Sequence, residues 1–308
     1  MTAPLISYIV TVFNKQDYIV QTLDSIRAQA AFSQTPVEII LSDDCSTDGS
    51  LELLKAEASR DSRLHIIENK RNLGPAVRIN QAAAAATGTY IIPVDGDDTV
   101  PRNGSRFFLD CAGRHRVPIV FGRARRSLQC NDIPANARVR LIDEPLVYCA
   151  ENQITHMGFF VETPIWRASG GADEAVFVQD QSLHLRLCAV APKLAHVEAT
   201  TYCLRPADVQ SLSRNVIQQH HDRFLSVFHL LQQGNLTLRA RRALTRQAIS
   251  SLWKLQRDQH SGLTWLSAAF ARYLVNRVAP WSPGEDMLQQ LLPSVLAIPG
   301  VRRMDGSA

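Results

Sequence analysis

Gly88-Thr89-Tyr90-Ile91-Ile92-Pro93-Val94-Asp95-Gly96-Asp97-Asp98 runs from a β-branched and aromatic segment straight into a cluster of carboxylates. The first seven residues read as a buried strand. Carboxylates at a strand's exit suit a hard divalent cation: Mg²⁺ or Mn²⁺ takes oxygen ligands and commonly bridges one or two protein carboxylates to substrate phosphates. The same four residues are also good turn chemistry, because Asp bonds its own backbone and Gly tolerates positive φ. The flanking chain has to separate the two readings.

Upstream, strand and helix signals alternate: strand Ile6–Phe13, helix Asp17–Ala30, strand Val37–Ser42, helix Asp48–Ser59, strand Leu64–Glu68, helix Pro75–Ala86 and strand Tyr90–Val94. This is the pattern of βαβ units, and it predicts an α/β fold with a mostly parallel sheet covered by helices. Ligands of such sheets bind at the carboxyl ends of the strands. Three strands here end in polar groups, Thr11 to Asn14, Asp43-Asp44, and Asp95 to Asp98. Their convergence on one sheet edge favours the metal-diphosphate reading over the turn.

With 308 residues, 45% of them hydrophobic, the chain can bury a large core as one or two domains. No apolar run approaches eighteen residues and the N-terminus lacks a signal-peptide pattern, so the expectation is a cytoplasmic protein without a membrane span. Six scattered cysteines without a Cys-x-x-Cys pair are expected to be free thiols. Arg114, Arg116, Arg123, Arg125 and Arg126 read as a solvated face. Residues 210–308 carry twelve Lys/Arg against five Asp/Glu, so positive charge gathers in the tail. There, Leu244, Ala248, Leu252 and Leu255, then Leu266, Phe270, Tyr273 and Leu274, recur at amphipathic helical spacing. The basic opposite face fits either a helical subdomain or contact with an anionic membrane surface through 216–308. No basic-aromatic module points to nucleic acid.

Taken in order, Ile9-Val10-Thr11-Val12-Phe13-Asn14, Ile39 through Ser50 with Ser42-Asp43-Asp44-Cys45-Ser46, Asn72-Leu73-Gly74 with Arg78 and Asn80, Asp95-Gly96-Asp97-Asp98, Gly170-Gly171 before Gln179-Asp180, and Tyr202 to Arg205 followed by Ser211 to Arg214 resemble family 2 of the inverting nucleotide-sugar glycosyltransferases. The resemblance covers about residues 5–215. It implies a GT-A fold, with a nucleotide-binding half over 1–100, an acceptor-side half over 101–215, and a basic helical region over 216–308.

Carried over by position, the resemblance places Thr11, Phe13 and Asn14 near the nucleotide, and Asp44 as acceptor for the base's ring N–H. Arg78 would face the diphosphate, and Gly96 would line the donor. Asp97 would hold the Mn²⁺ or Mg²⁺, with Asp95 touching ribose or reaching the ion through water. Asp98 would orient the loop or pair with an Arg. Asp180 would be the general base, ahead of a helix that it also suits as N-cap.

This chain departs from the family at Gln179, where Glu is usual, which would lower the pKa of Asp180 were the two close. It departs again at Cys45, where Gly is usual, and at Ala207-Asp208, where a His often lies, leaving His156 and His184 as nearby substitutes. No Gln-x-x-Arg-Trp follows Asp180, so the implied activity is transfer of one sugar from a nucleotide-sugar donor, UDP-sugar favoured, to a hydroxyl of a glycan or lipid-linked acceptor. Alternatives are a polyprenyl-phosphate glycosyltransferase, a sugar-phosphate nucleotidyltransferase, for which Thr11 to Asp17 supplies only Lys15, and a non-catalytic sugar-binding scaffold. A peripheral place on the inner face of the plasma membrane, and oligomerisation, are left open.

Overall fold

A computed structural model describes residues 4–127, 129–206, 214–259, 268–278 and 284–304. Ala207-Asp208, Ser211 to Ser213 and Leu266 lie outside the described residues. The chain divides into two compact units, one of residues 1–145, 155–172 and 190–206, the other of 146–154, 173–189 and 207–308.

The first unit is built on an eight-stranded sheet in the order β3-β2-β1-β4-β7-β5-β8-β6. Strands β1 (Ile6–Val12), β2 (Val37–Asp43), β3 (Leu64–Glu68) and β4 (Tyr90–Asp95) are parallel, as the βαβ pattern predicts. The sequences of β1, β2 and β4 are nearly continuous apolar runs because both faces are covered, while β3 lies at the sheet edge and is partly exposed. Ile6, Tyr8, Ile9, Val10 and Val12 of β1 are all buried. Helices α1 (Ile19–Ser33), α2 (Ser50–Ala58) and α3 (Pro75–Ala85) make the crossovers. α1 starts two residues later than expected, because Lys15 and Gln16 are turned outward to bind the next loop: their backbone N–H groups donate to Ser50 Oγ and Asp48 Oδ2.

Pro93 is tolerated inside β4 because the ladder to β7 (Phe160–Glu162) pairs only Tyr90 with Glu162 and Ile91 with Val161, stopping short of the missing N–H. Beyond α4 (Gly104–His115), strands β5 (Ile119–Arg126), β6 (Val139–Ile142) and β8 (Leu194–Leu204) complete the sheet, and α6 (Thr163–Ser169) follows β7. Arg123, Arg125 and Arg126 are exposed, as a solvated face requires.

The second unit is helical: α5 (Pro145–Asn152), α7 (Gln179–Val190), α8 (Val216–Leu231), α9 (Leu238–Gln259), α10 (Ala268–Val278) and α11 (Gly284–Leu296). Leu244, Ala248, Leu252 and Leu255 are buried along α9, so its apolar stripe forms a core. This unit starts earlier than the expected boundary at 215. Asp222 of α8 accepts from the backbone N–H groups of Phe177 and Val178, at 3.1 and 2.8 Å, and His229 meets Asp173 at 2.6 Å, which ties the segment before α7 to the later helices. Among the described residues no helix is long and apolar enough to cross a membrane.

The expectation of free thiols is corrected at two positions. Cys130 and Cys203 form a disulfide with Cα atoms 5.6 Å apart, while Cys45, Cys111, Cys149 and Cys188 are free. Widely spaced cysteines carry no pairing signal in sequence; here the sheet brings them together. The bond closes a loop with a sequence separation of 73, so Cys130→Ser should lower unfolding stability by about 2–5 kcal/mol. Urea unfolding of both proteins under non-reducing conditions measures this, and the difference should vanish in reductant.

Candidate active site

Parallel register aligns the strand exits. Thr11 pairs with Ser42 on one side and with Asp95 on the other, and Val12 pairs with Asp43, so β1, β2 and β4 end at one level. The backbone N–H of Asp44 donates to Val12 O at 2.8 Å and that of Gly96 to Thr11 O at 3.0 Å, which lashes the three exits together. A Cβ at Gly96 would lie 2.9 Å from Thr11 O, so a side chain does not fit there.

Asn14, at φ 52, turns the chain out of β1 and exchanges hydrogen bonds with Thr47: its Oδ1 accepts from Thr47 N at 2.8 Å and its Nδ2 donates to Thr47 Oγ1 at 3.2 Å. Phe13 stands 41% exposed beside it, an aromatic face open to a planar ligand. Cys45 adopts φ 63, which explains why a glycine suits this position.

The carboxylates have distinct surroundings. Asp97 Oδ2 accepts from Lys15 Nζ at 2.6 Å and from Arg205 Nη2 at 2.8 Å and Nε at 3.1 Å. Burial opposes ionisation of Asp97, but Lys15 and Arg205 outweigh it and hold the carboxyl below its ordinary value. Every hydrogen bond Asp97 makes with a described residue falls on Oδ2, which leaves Oδ1 without one among those residues. Asp98 is buried and pushed up to about 7, first by that burial and then by Asp97 beside it. Its Oδ1 accepts from the Arg205 backbone N–H at 2.7 Å, so it orients the loop.

Asp95 is held through its backbone N–H, which donates to Tyr202 Oη at 2.9 Å, and through Thr11 Oγ1, which donates to its Oδ1 at 3.5 Å. Gly158, at φ 72, allows this: a Cβ there would strike the Tyr202 ring at 2.1 Å.

Asp44 and Arg78 form a second, buried group. Asp44 accepts from Leu73 N and Gly74 N at 2.8 Å and from Arg78 Nε at 2.7 Å. Arg78 is only 4% exposed and also donates to Arg71 O and to Gln81 Oε1. The Arg78 guanidinium is thus engaged by Asp44 and by the loop ahead of α3. Asn80 Nδ2 donates to Ala172 O at 2.9 Å and its Oδ1 accepts from Ala172 N at 2.8 Å, which accounts for the Gly170-Gly171 pair, since a Cβ at Gly171 would meet Asn80 Oδ1 at 2.2 Å.

These residues fit a divalent ion of the kind that binds a diphosphate. Among the described residues no group of three His, Cys, Asp or Glu side chains could hold a metal. One or two carboxylates at a strand exit, with the other oxygens from substrate and water, is nevertheless the usual Mg²⁺ arrangement. Lys15 and Arg205 were not among the expected site residues. Lys15 is the lone cation after β1 and Arg205 closes the Tyr202 motif, yet neither position reveals a partner 82 or 108 residues away.

Residues 7–159 match the glycosyl transferase family 2 description. The chain belongs to glycosyl transferase family 2. A similar protein is the putative teichuronic acid biosynthesis glycosyltransferase TuaG of Bacillus subtilis, 39% identical over 95 residues, which are 31% of this chain and 36% of TuaG. The match therefore spans only about a third of such relatives. The fold is that of S. aureus TarS 1-349, crystallised with UDP-GlcNAc, at TM-score 0.66 and 16% identity over 96% of this chain and 92% of that one. It is also that of the mannosyltransferase PcManGT of Pyrobaculum calidifontis, in complex with GDP-Man and Mn²⁺, at TM-score 0.63 and 17% identity over 97% and 82%. The GT-A architecture expected from sequence is present, together with the helical C-terminal region.

In the second unit, Asp180 lies in the first turn of α7, where the helix dipole favours a carboxylate. Burial nevertheless pushes it up to about 6, against the opposing pull of Arg223. His184 is fully buried and its Nδ1 meets the Asp180 carbonyl, while His156 is packed between the Met157 and Gly122 carbonyls.

The Asp44 and Arg78 assignment has a direct check. Arg78→Ala strands a buried carboxylate and should destabilise this family 2 domain by about 3–5 kcal/mol, read by denaturant unfolding. Unchanged stability with weakened nucleotide binding would instead return Arg78 to the diphosphate.

Proposed function

We propose that this family 2 member is a metal-dependent inverting glycosyltransferase. It would move one sugar from a nucleoside-diphosphate donor, UDP-sugar favoured, to a hydroxyl of a surface glycan or lipid-linked acceptor. The observation that carries the reading is the level alignment of the β1, β2 and β4 exits with Asp95 and Asp97, Asp97 keeping Oδ1 without a hydrogen bond among the described residues while Lys15 and Arg205 balance Oδ2. Relatives in polysaccharide biosynthesis, and structural neighbours holding UDP-GlcNAc or GDP-Man with Mn²⁺, support the donor class.

Phe13 stacks on the base, with Thr11 and Asn14 shaping its edge. Asp44 is the base-side acceptor and is itself fixed by Arg78. Asp97, with Asp95, would hold Mn²⁺ or Mg²⁺, which would supply positive charge to offset that of the leaving diphosphate. Lys15 and Arg205 add fixed positive charge on the same side. Asp180 takes the proton of the acceptor hydroxyl as its oxygen bonds the anomeric carbon. The bond from that carbon to the diphosphate oxygen breaks on the opposite face, and a nucleoside diphosphate leaves.

Titration calorimetry with UDP, GDP, dTDP and CMP, in Mn²⁺ and then in EDTA, should give metal-dependent binding of one nucleoside diphosphate. Asp97→Ala should lose it, and equal affinity in that variant would remove the metal assignment. Asp180→Asn should keep donor binding and lose transfer by about 10²-fold or more.

The pH dependence follows from Asp180. A base must be deprotonated, and a carboxyl raised to about 6 gains its active form as pH rises through that value. Transfer at limiting donor should therefore climb from pH 5 and level off above about 6–7; a profile flat across this range would exclude Asp180 as the base.

A further inference from the structure

The second unit gathers half-buried cations that its described carboxylates do not pair off. α8 carries His220 and Arg223 one turn apart, and α9, packed against it, carries Lys254, Arg257 and Asp258. Asp258 is taken by Arg257 at 2.7 Å and lies 3.3 Å from His220 Nε2. Lys254 makes no hydrogen bond or ion pair with any described residue, and the Nε of Arg223 is buried without a partner. Burial, then Arg223 and Arg257, hold Lys254 below its ordinary value; burial and Arg223 also bring His220 down to about 4, so it stays neutral. Arg257 lies 5.3 Å from the Trp253 ring centroid, which gives the cluster an aromatic flank.

Cations on a freely solvated face can spread apart, whereas half-buried ones feel each other through a lower dielectric. Keeping Arg223 and Lys254 together, with the exposed Arg257 beside them, is understandable if an anion joins them. An Arg fork beside a Lys point charge suits the oxygens of a phosphate.

We propose that Arg223 and Lys254, with Arg257 at the rim, bind a phosphate group carried by the acceptor. This deepens the function proposed above and rests on it in one respect, that Asp180 is the base. Arg223 follows Asp222, whose Oδ2 accepts from the Val178 N–H at 2.8 Å, two residues before Asp180, so a phosphate bound there sets a neighbouring hydroxyl of the same molecule near that carboxylate. The acceptor class is then a phosphate-bearing hydroxyl compound, not a neutral glycan.

Inorganic phosphate is the first probe, titrated calorimetrically at constant ionic strength into full-length Lys15→Ala protein, in which the donor-side ammonium is gone. It should bind, and adding Lys254→Ala should weaken binding about tenfold or more, while Lys254→Arg, which keeps the charge, should restore it. Arg223→Met serves as a second variant should Lys254→Ala fail to fold. Equal phosphate affinity with and without Lys254, in folded protein, would overturn the proposal.

Co-sedimentation with phosphatidylglycerol/phosphatidylcholine vesicles, against phosphatidylcholine alone, separates the sources. Retention that depends on Lys254 assigns the phosphate to a lipid headgroup, and no retention with phosphate binding intact assigns it to a soluble or polymeric acceptor. Nucleoside-diphosphate binding is measured on the protein with Lys15 intact: its absence there, beside intact phosphate binding by Lys15→Ala, would remove the donor reading and leave this site standing.

Discussion

β1 is hydrogen-bonded in parallel register on both sides, and the candidate donor site depends on that constraint. Because Thr11 is level with Ser42 and Asp95, three loops leave the sheet at one height. A slip of one residue would turn every side chain to the other face. It would carry Thr11 away from Asp95 and break the Asp44 and Gly96 backbone bonds that close the edge. The burial of β1 on both faces makes such a slip costly, so stability and site geometry have the same origin.

On that edge, charge is handled by pairing. Asp44 is buried, yet two backbone N–H groups and a guanidinium satisfy it, and this holds the loop ahead of α3. Asp97 and Asp98 are neighbours that cannot both ionise cheaply, and the chain resolves the conflict asymmetrically. Lys15 and Arg205 keep Asp97 anionic, while Asp98, bonded to the Arg205 backbone, is the one pushed up. One carboxylate is thereby kept charged and the other helps to hold the loop.

The first hundred residues were legible because their signals are local. Apolar runs of strand length, Pro75 at a helix start and Gly96 under a strand exit each act within a few residues. The resemblance extended this reading to Asn80 and Gly171, whose close packing explains two of its motifs. It was less informative where roles depend on distant partners. Arg78 turned inward because Asp44 lies 34 residues earlier, Lys15 and Arg205 meet only through the folded sheet, and Cys130 joins Cys203 across strands. Asp222 and His229 likewise reach back to the segment before α7, links that no local signal announces.

The tail's positive charge takes on a more specific meaning once its helices are folded. In sequence, Arg239 to Arg257 resembles a membrane-facing stripe, and a stripe would hold its cations in water. Arg241 instead donates to the carbonyls of Leu231 and Gln233, spending its charge on the end of α8. Lys254 and Arg223 are half-buried. Cations withdrawn from solvent select for a compact anion that can enter among them, while a broad lipid surface is served as well by exposed ones. The burial of these groups, more than their number, favours a discrete phosphate as what this part of the chain binds.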